Sequence, residues 1–324
     1  LLADPTNVAI LRQLASGPLE STALLERIDY VSRSTYFDRM RDLEGLSLVA
    51  RRRRGEVPPV AECWLARPGQ RLLPVASLLD RWLGGAPKGP LELGQAYATT
   101  AIKALAVGWG STLMRWLAAR PHSLTELEQL VDGFGYRKLE RTCRDLVKAE
   151  LAERVTINGR LSGYGMTPWG RQAAGPLAAA IRWERYEIPG WSAAITSIEA
   201  QGGLLLALPL IDLGDEVSGT CTLLVDDDDP EREGLGGAVV RLAHGRPVTW
   251  APAAELDPRA DCWVRGTTLA WLDTVSASRP AELQQGGDTS LATEVTTALR
   301  EASTPANTPG TISAESPSEP AGLR

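Results

Sequence analysis

The chain of 324 residues has little of what catalytic and metal centres are made from. It holds four cysteines (Cys63, Cys143, Cys221 and Cys262), far apart and without a Cys-x-x-Cys pair, and only two histidines, His122 and His244. That spacing speaks against a zinc site and a disulfide framework and fits a reducing cytoplasm. The aspartates at 226–229 lack the alternating oxygen ligands, central glycine and terminal glutamate of a calcium loop, so they read as a solvated turn. There is no GxSxG, no P-loop, no dinucleotide fingerprint and no nucleophile–base–orienter set, so the expectation is a protein that is not an enzyme and takes no cofactor. No apolar run approaches the roughly 20 residues of a membrane helix, and no positively charged leader precedes a cleavage site. The chain opens at Leu1 without a methionine, and the start of the first helix is expected to lie before it.

What is present is a chain with 44% hydrophobic residues, enough for two or three ordinary cores. The net charge of −6 divides unevenly. Residues 1–84 hold 12 Lys and Arg against 10 Asp and Glu, residues 85–190 hold 14 against 10, and residues 191–324 hold 8 against 20. The acidity belongs to the C-terminal third. A local basic surface is what DNA feels, so this balance leaves nucleic acid open as a partner of the first two thirds.

Those two thirds repeat each other. Leu14-Ala15, Pro18, Leu24, Asp29, Leu43, Leu48 and Arg51 recur 103 residues later as Leu117-Ala118, Pro121, Leu127, Asp132, Leu146, Leu151 and Arg154. In the first copy the pattern predicts helices over 5–15 and 21–27, a third capped by Ser32 and running to about Leu46, a strand at 48–50, a hairpin tip at 51–59, a return at 60–65 and a closing helix over 67–83. The second copy predicts helices near 96–118, 124–131 and 136–149, a wing near 152–167 and a closing helix to Tyr186. The domain boundaries that follow are 1–84, a Gly/Pro linker at 85–94, 95–190, 191–302 and a disordered tail at 303–324.

Helix periodicity selects the candidate contact residues. With Tyr36, Met40 and Leu43 buried as one stripe, Ser34, Asp38 and Arg41 point outward, with Arg33 and Thr35 near the start. In the second copy Leu139, Cys143 and Leu146 form the stripe, and Arg137, Lys138, Arg141 and Arg144 point outward, suited to phosphates and guanine edges. The first copy adds Arg51, Arg52, Arg53 and Arg54 at its hairpin; alternation lets two or three of these reach one phosphate backbone. Trp82 and Trp183, at matching positions in the closing helices, read as packing anchors.

The first copy is identified by its motifs. Leu43-Glu44-Gly45-Leu46 closing the third helix, then Gly55-Glu56-Val57-Pro58-Pro59, Pro68-Gly69, Leu72, Pro74-Val75 and Trp82, resembles the HxlR-type winged helix-turn-helix regulators. The second copy is a more divergent relative that keeps Thr167-Pro168-Trp169-Gly170-Arg171, Pro176 and Trp183 but lacks the Val-Pro-Pro of the wing. The resemblance implies a transcription regulator that binds double-stranded DNA, its tandem modules forming an internal pseudo-dimer; a homodimer is left open. The competing reading is an interaction protein whose winged modules have given up DNA.

The C-terminal third reads as strands over 217–225, 238–243, 248–251 and 262–266 followed by helices over 268–276 and 291–302, an order that suggests an α+β sandwich with its helices over one sheet face. Ala260-Asp261-Cys262-Trp263-Val264-Arg265-Gly266, then Leu269, Leu272 and Gly287-Asp288, resembles the sterol-carrier-protein fold. That resemblance implies an apolar small-molecule effector held by residues 204–210, Trp250, Trp263 and Trp271. The fold class expected for the whole chain is therefore α+β, two tandem winged helix-turn-helix domains followed by a sterol-carrier-like sandwich.

Overall fold

The computed structural model describes residues 1–54, 60–109, 113–131, 135–157, 159–188, 197–226, 236–253, 255–276 and 282–303. The wing tip at 55–59, the aspartates at 227–229 and the tail from 304 lie outside the described residues.

Asp4 opens helix α1 (Pro5–Ala15): its carboxylate accepts from the backbone N–H groups of Thr6 and Asn7, and Pro5 sacrifices no bond in the first turn. β1 (Leu19–Glu20), α2 (Ser21–Arg27) and α3 (Arg33–Gly45) follow. The Ser32 hydroxyl caps α3, and Tyr36, Met40 and Leu43 are its buried stripe. β2 (Val49–Arg54) and β3 (Val60–Leu65) pair antiparallel, β1 adds to the other edge of β3, and α4 (Arg67–Gly84) closes the unit. The arginine run was expected at a hairpin tip. It lies inside β2 instead, because the ladder continues until Arg54 faces Val60.

The next segment carries α5 (Ala96–Trp109) and α6 (Leu113–Ala119) where one helix was expected. Then come β4 (His122–Ser123), α7 (Leu124–Leu130), α8 (Tyr136–Lys148), β5 (Ala152–Ile157), β6 (Arg160–Met166), the short α9 (Pro168–Arg171) and α10 (Ala174–Glu187). The sheet order β4-β6-β5 matches β1-β3-β2. Agreement extends to single residues. Ser47 and Glu150, which end the turns after α3 and α8, hold φ of 58° and 61°. Leu48 and Leu151 donate back to Leu43 and Leu146 at 2.9 and 3.0 Å and accept from Ala66 and Thr167 at 2.9 and 3.1 Å. Gly69 and Gly170 press against the Leu48 and Leu151 carbonyls so closely that a Cβ at either would collide with that oxygen.

The C-terminal unit begins with α11 (Ser197–Ala207) and a single 3-10 turn over Leu208–Leu210. β7 (Gly219–Asp226), β8 (Gly236–Ala243), β9 (Arg246–Pro252), β10 (Cys262–Thr267), α12 (Thr268–Val275), β11 (Gln284–Gly287) and α13 (Thr289–Ala302) complete it. The five strands run in the order β11-β10-β7-β8-β9, parallel only between β10 and β7. α11 lies between α6 and β8, so Leu204, Leu205, Leu206 and Leu208 are wholly buried in a joint between units. α10 packs on α4, α11 and α12, and one apolar core runs from α1 to α13.

His122 sits in this core at 1% exposure, edge-on to Trp116, with neither ring nitrogen hydrogen-bonded. Burial, reinforced by the Arg120 charge, lowers its pKa below the ordinary histidine value. The fold therefore holds a neutral imidazole. As pH falls below about 6.5 the unfolded chain takes up a proton that the native state refuses, so stability is lost toward the lowered native pKa, at up to about 1.4 kcal/mol per pH unit.

Urea melts of the parent and His122→Leu between pH 5 and 8 should show a shallower acid-side loss in the variant; equal slopes would place the pH dependence elsewhere. Gly170→Ala should cost about 1–3 kcal/mol, the range for forced overpacking, seen as a lower thermal midpoint. An unchanged midpoint would mean that α9 does not bear on the Leu151 turn.

Candidate nucleic-acid interface

Two helices present the candidate faces. On α3, Arg33, Ser34, Thr35 and Arg41 are all exposed. The Ser32 hydroxyl lies 3.0 Å from that of Ser34 and 2.8 Å from that of Thr35, a cluster at the helix start where a groove-bound helix meets bases. Arg41 is held by Asp38 at 3.1 Å, and Arg39 by Asp4 at 2.9 Å and Asp42 at 3.3 Å. Three arginines face two aspartates and a glutamate along this helix, so its face is polar rather than basic. Such exposed pairs are worth about 1 kcal/mol or less, so a phosphate can take Arg41 from Asp38 at little cost.

On α8, Arg137, Lys138, Arg141 and Arg144 are exposed together, and the helix carries five cations against two acids. Arg144 bonds Glu140 one turn back at 2.7 Å. α5 packs along the flank of α8, burying Thr142, whose hydroxyl turns to the Lys138 carbonyl at 2.9 Å. Thr142 lies about 140° and 160° around the helix from Arg137 and Arg144 and about 100° from Arg141, so α5 leaves that face uncovered. Two aromatics on these helices escaped the sequence reading: Phe37 is 41% exposed and Tyr136 is 46% exposed. Their positions off the buried stripes were the available signal.

The strand register divides the four arginines. Arg51 and Arg53 share the face of buried Cys63, and Arg51 bonds Glu44 of α3 at 3.0 Å, so this is the side of the hairpin that looks along α3. Arg53 is exposed and makes no ion pair with a described residue. Arg52 faces the other way, with Nε and Nη2 both on the Glu62 carboxylate at 3.1 and 2.9 Å and its guanidinium over Trp64. The Arg54 side chain lies outside what is described. In the second hairpin Arg154 folds back over the Tyr164 ring at 5.5 Å.

The thiols offer no reactive centre beside these faces. Burial pushes the Cys63 thiol up despite the Arg51 charge, and pushes Cys143 up to about 12, so both stay protonated at neutral pH.

The three tryptophans expected to line a tunnel do not converge. Trp250 on β9 and Trp263 on β10 are three strand spacings apart, roughly 14 Å, and the register puts them on opposite sheet faces. Trp250 instead meets the second unit: its indole N–H donates to the Ala118 carbonyl at 3.1 Å and its ring lies under the Arg171 guanidinium. Arg171 itself donates to the same carbonyl at 2.8 Å, and burial lowers its pKa to about 10, which leaves it charged at neutral pH. Trp271 is fully buried and donates to the Leu224 carbonyl at 2.8 Å.

The units also meet through tryptophan. Trp82 and Trp169 stack with centroids 4.6 Å apart and planes 7° from parallel. The Trp82 indole donates to the Trp169 carbonyl at 3.0 Å, and the Trp183 indole donates to the Pro68 carbonyl at 3.0 Å. Pro68 and Trp169 each precede the glycine that meets the Leu48 or Leu151 carbonyl, so the two bonds are counterparts crossing in opposite directions.

Residues 1–87 match the HxlR-like helix-turn-helix family. No curated protein and no solved structure matches the chain. The matched segment contains α3 and the β2–β3 hairpin, and its family indicates a DNA-binding transcription regulator. No described helix is long and apolar enough to cross a membrane.

The division of the arginines predicts unequal effects on DNA. Arg53→Ala should weaken binding to specific and random duplexes alike and flatten the log–log salt dependence by about 0.9 for one lost phosphate contact. Arg52→Ala should leave the slope unchanged, because Arg52 serves Glu62 on the reverse face. A salt titration in which the two variants change places would reverse this orientation of the hairpin.

Proposed function

We propose that this chain is a sequence-specific transcription regulator that grips double-stranded DNA with two winged helix-turn-helix units acting as an internal pseudo-dimer. The crossed pair of indole–carbonyl bonds, Trp82 to Trp169 and Trp183 to Pro68, is the observation that carries the reading. Equivalent groups exchanging equivalent bonds in both directions are what an approximate twofold axis between two like units produces. Regulators of this shape read palindromic half-sites through paired helices, and α3 and α8 stand at matching places in the two units.

The helices would divide the work unequally. α8, with Arg141 between Arg137 and Arg144 on an uncovered face, supplies the stronger charge and the better guanine-reading geometry. α3 supplies hydroxyls and a labile Arg41, and its hairpin adds Arg51 and Arg53. The C-terminal unit is best read as a scaffold fixed to the second unit through Trp250, Arg171 and the Arg182–Asp273 ion pair, because its tryptophans are engaged in packing rather than gathered around a space. The competing reading, winged units that bind only proteins, gives no reason for Arg137 and Arg141 to stand exposed together on one face of α8.

Footprinting on an operator recovered by selection should show two protected half-sites about 10 base pairs apart from a single chain. Arg141→Ala should cost roughly 1–3 kcal/mol on that operator and much less on random duplex. A uniform loss on both would make Arg141 a phosphate contact, and no loss on either would favour the protein-binding alternative for the second unit.

A further inference from the structure

The linker between α4 and α5 crosses the C-terminal turn of α8 without closing onto it. Between them lies a cavity of about 390 Å³. A second of about 260 Å³ runs on between α5 and α8. Thr100 and Lys148 line both, so the two form one trough. Its inner wall is apolar, made by Leu91, Ala101, Ala149 and Trp169. Its rim carries three lysines against two acids. Lys88 is engaged by Glu150, whereas Lys103 and Lys148 make no ion pair with a described residue, and Asp145 is the one other acid among the lining residues.

We propose that this trough binds a small aromatic carboxylate or sulfonate, its ring against Leu91, Ala101 and Trp169 and its anionic group at Lys148 and Lys103. The larger cavity falls within the range of about 300–1,000 Å³ usual for ligand pockets, and an apolar wall with a few placed charges is the usual lining. A neutral apolar molecule would leave the two lysines unused, and a cation would be repelled by them. The position also couples to both units. Lys148 ends α8, Glu150 ends the turn after it with a left-handed backbone tied to Lys88 of the linker, and Trp169 carries the stack on Trp82. An occupant therefore touches the contact helix, the linker and the joint at once. That consequence for DNA rests on the proposed function; the binding itself does not.

Calorimetric titration of the full chain with 2-naphthoate should show saturable one-to-one binding, with 2-naphthalenemethanol about fivefold or more weaker because it lacks the charge. Thr100 is exposed on a helix that both cavities share, so Thr100→Trp should fill the trough and abolish the signal while the melting curve is retained. Lys148→Ala should bring naphthoate down to the affinity of the alcohol, and it keeps the test decisive if the tryptophan variant does not fold. Binding that survives both substitutions, or no binding by either compound, overturns the site. Adding naphthoate to an operator titration separates the two ideas: a shift in DNA affinity, lost in Thr100→Trp, supports both. Naphthoate binding by a chain that binds no DNA keeps the site and removes the regulator reading.

Discussion

Two indole rings hold this molecule in one arrangement. The Trp82–Trp169 stack would be worth about 1 kcal/mol beyond its buried area, but its larger effect is geometric. Both indole N–H groups are spent across it, Trp82 to the Trp169 carbonyl and Trp169 to the Trp82 carbonyl at 2.9 Å, in a site closed to water. Sliding one unit along the other would leave two donors buried without partners, and each such loss costs about 1–3 kcal/mol. The counterpart bond from Trp183 to Pro68 adds a third constraint at the other end of the same contact. These bonds join the unit that carries α3 to the unit that carries α8.

The acidic third is fastened by a different kind of contact. Arg171 lies largely buried against Trp250 with its charge answered by backbone carbonyls, Arg115 donates to Gln201 at 3.0 Å, and Arg182 pairs with Asp273 where both are largely covered. Cations of the second unit are thus consumed at the seam with the third, while those of α8 stay in solvent. The division keeps the acidic surface attached to the side of the second unit formed by α6, α9 and α10.

Much of the local structure is legible in the sequence. Ser32 as a cap, the stripe of Tyr36, Met40 and Leu43, and the outward set of Arg137, Lys138, Arg141 and Arg144 depend only on helical period and capping chemistry. β11 is not visible in the sequence because Gln284-Gln285-Gly286-Gly287 has no apolar alternation; its pairing places Gly286 against the Trp263 ring, where a Cβ would collide. The arginine run was placed at a turn on composition; cross-strand pairing with 60–63 draws it into the ladder. The resemblance that assigns Trp250, Trp263 and Trp271 to one effector carries no information on the strand order, in which two other strands separate β9 from β10.

What the residues determined alone is periodicity: which side of each helix is apolar, where a helix is capped, and which apolar positions recur at a fixed interval. These are local properties, set by backbone sterics and by hydrophobic spacing over a few turns. Which arginines stand free, which tryptophans join units and where an enclosed space remains were decided only by tertiary packing. Each depends on a partner far away in the chain: Glu62 for Arg52, Trp169 for Trp82, Ala118 for Trp250, and α5 beside α8 for the trough. Side-chain type specifies what a group needs, a counter-charge, an acceptor or an apolar neighbour. The folded chain decides who supplies it, because that choice is made by distances that sequence separation does not encode.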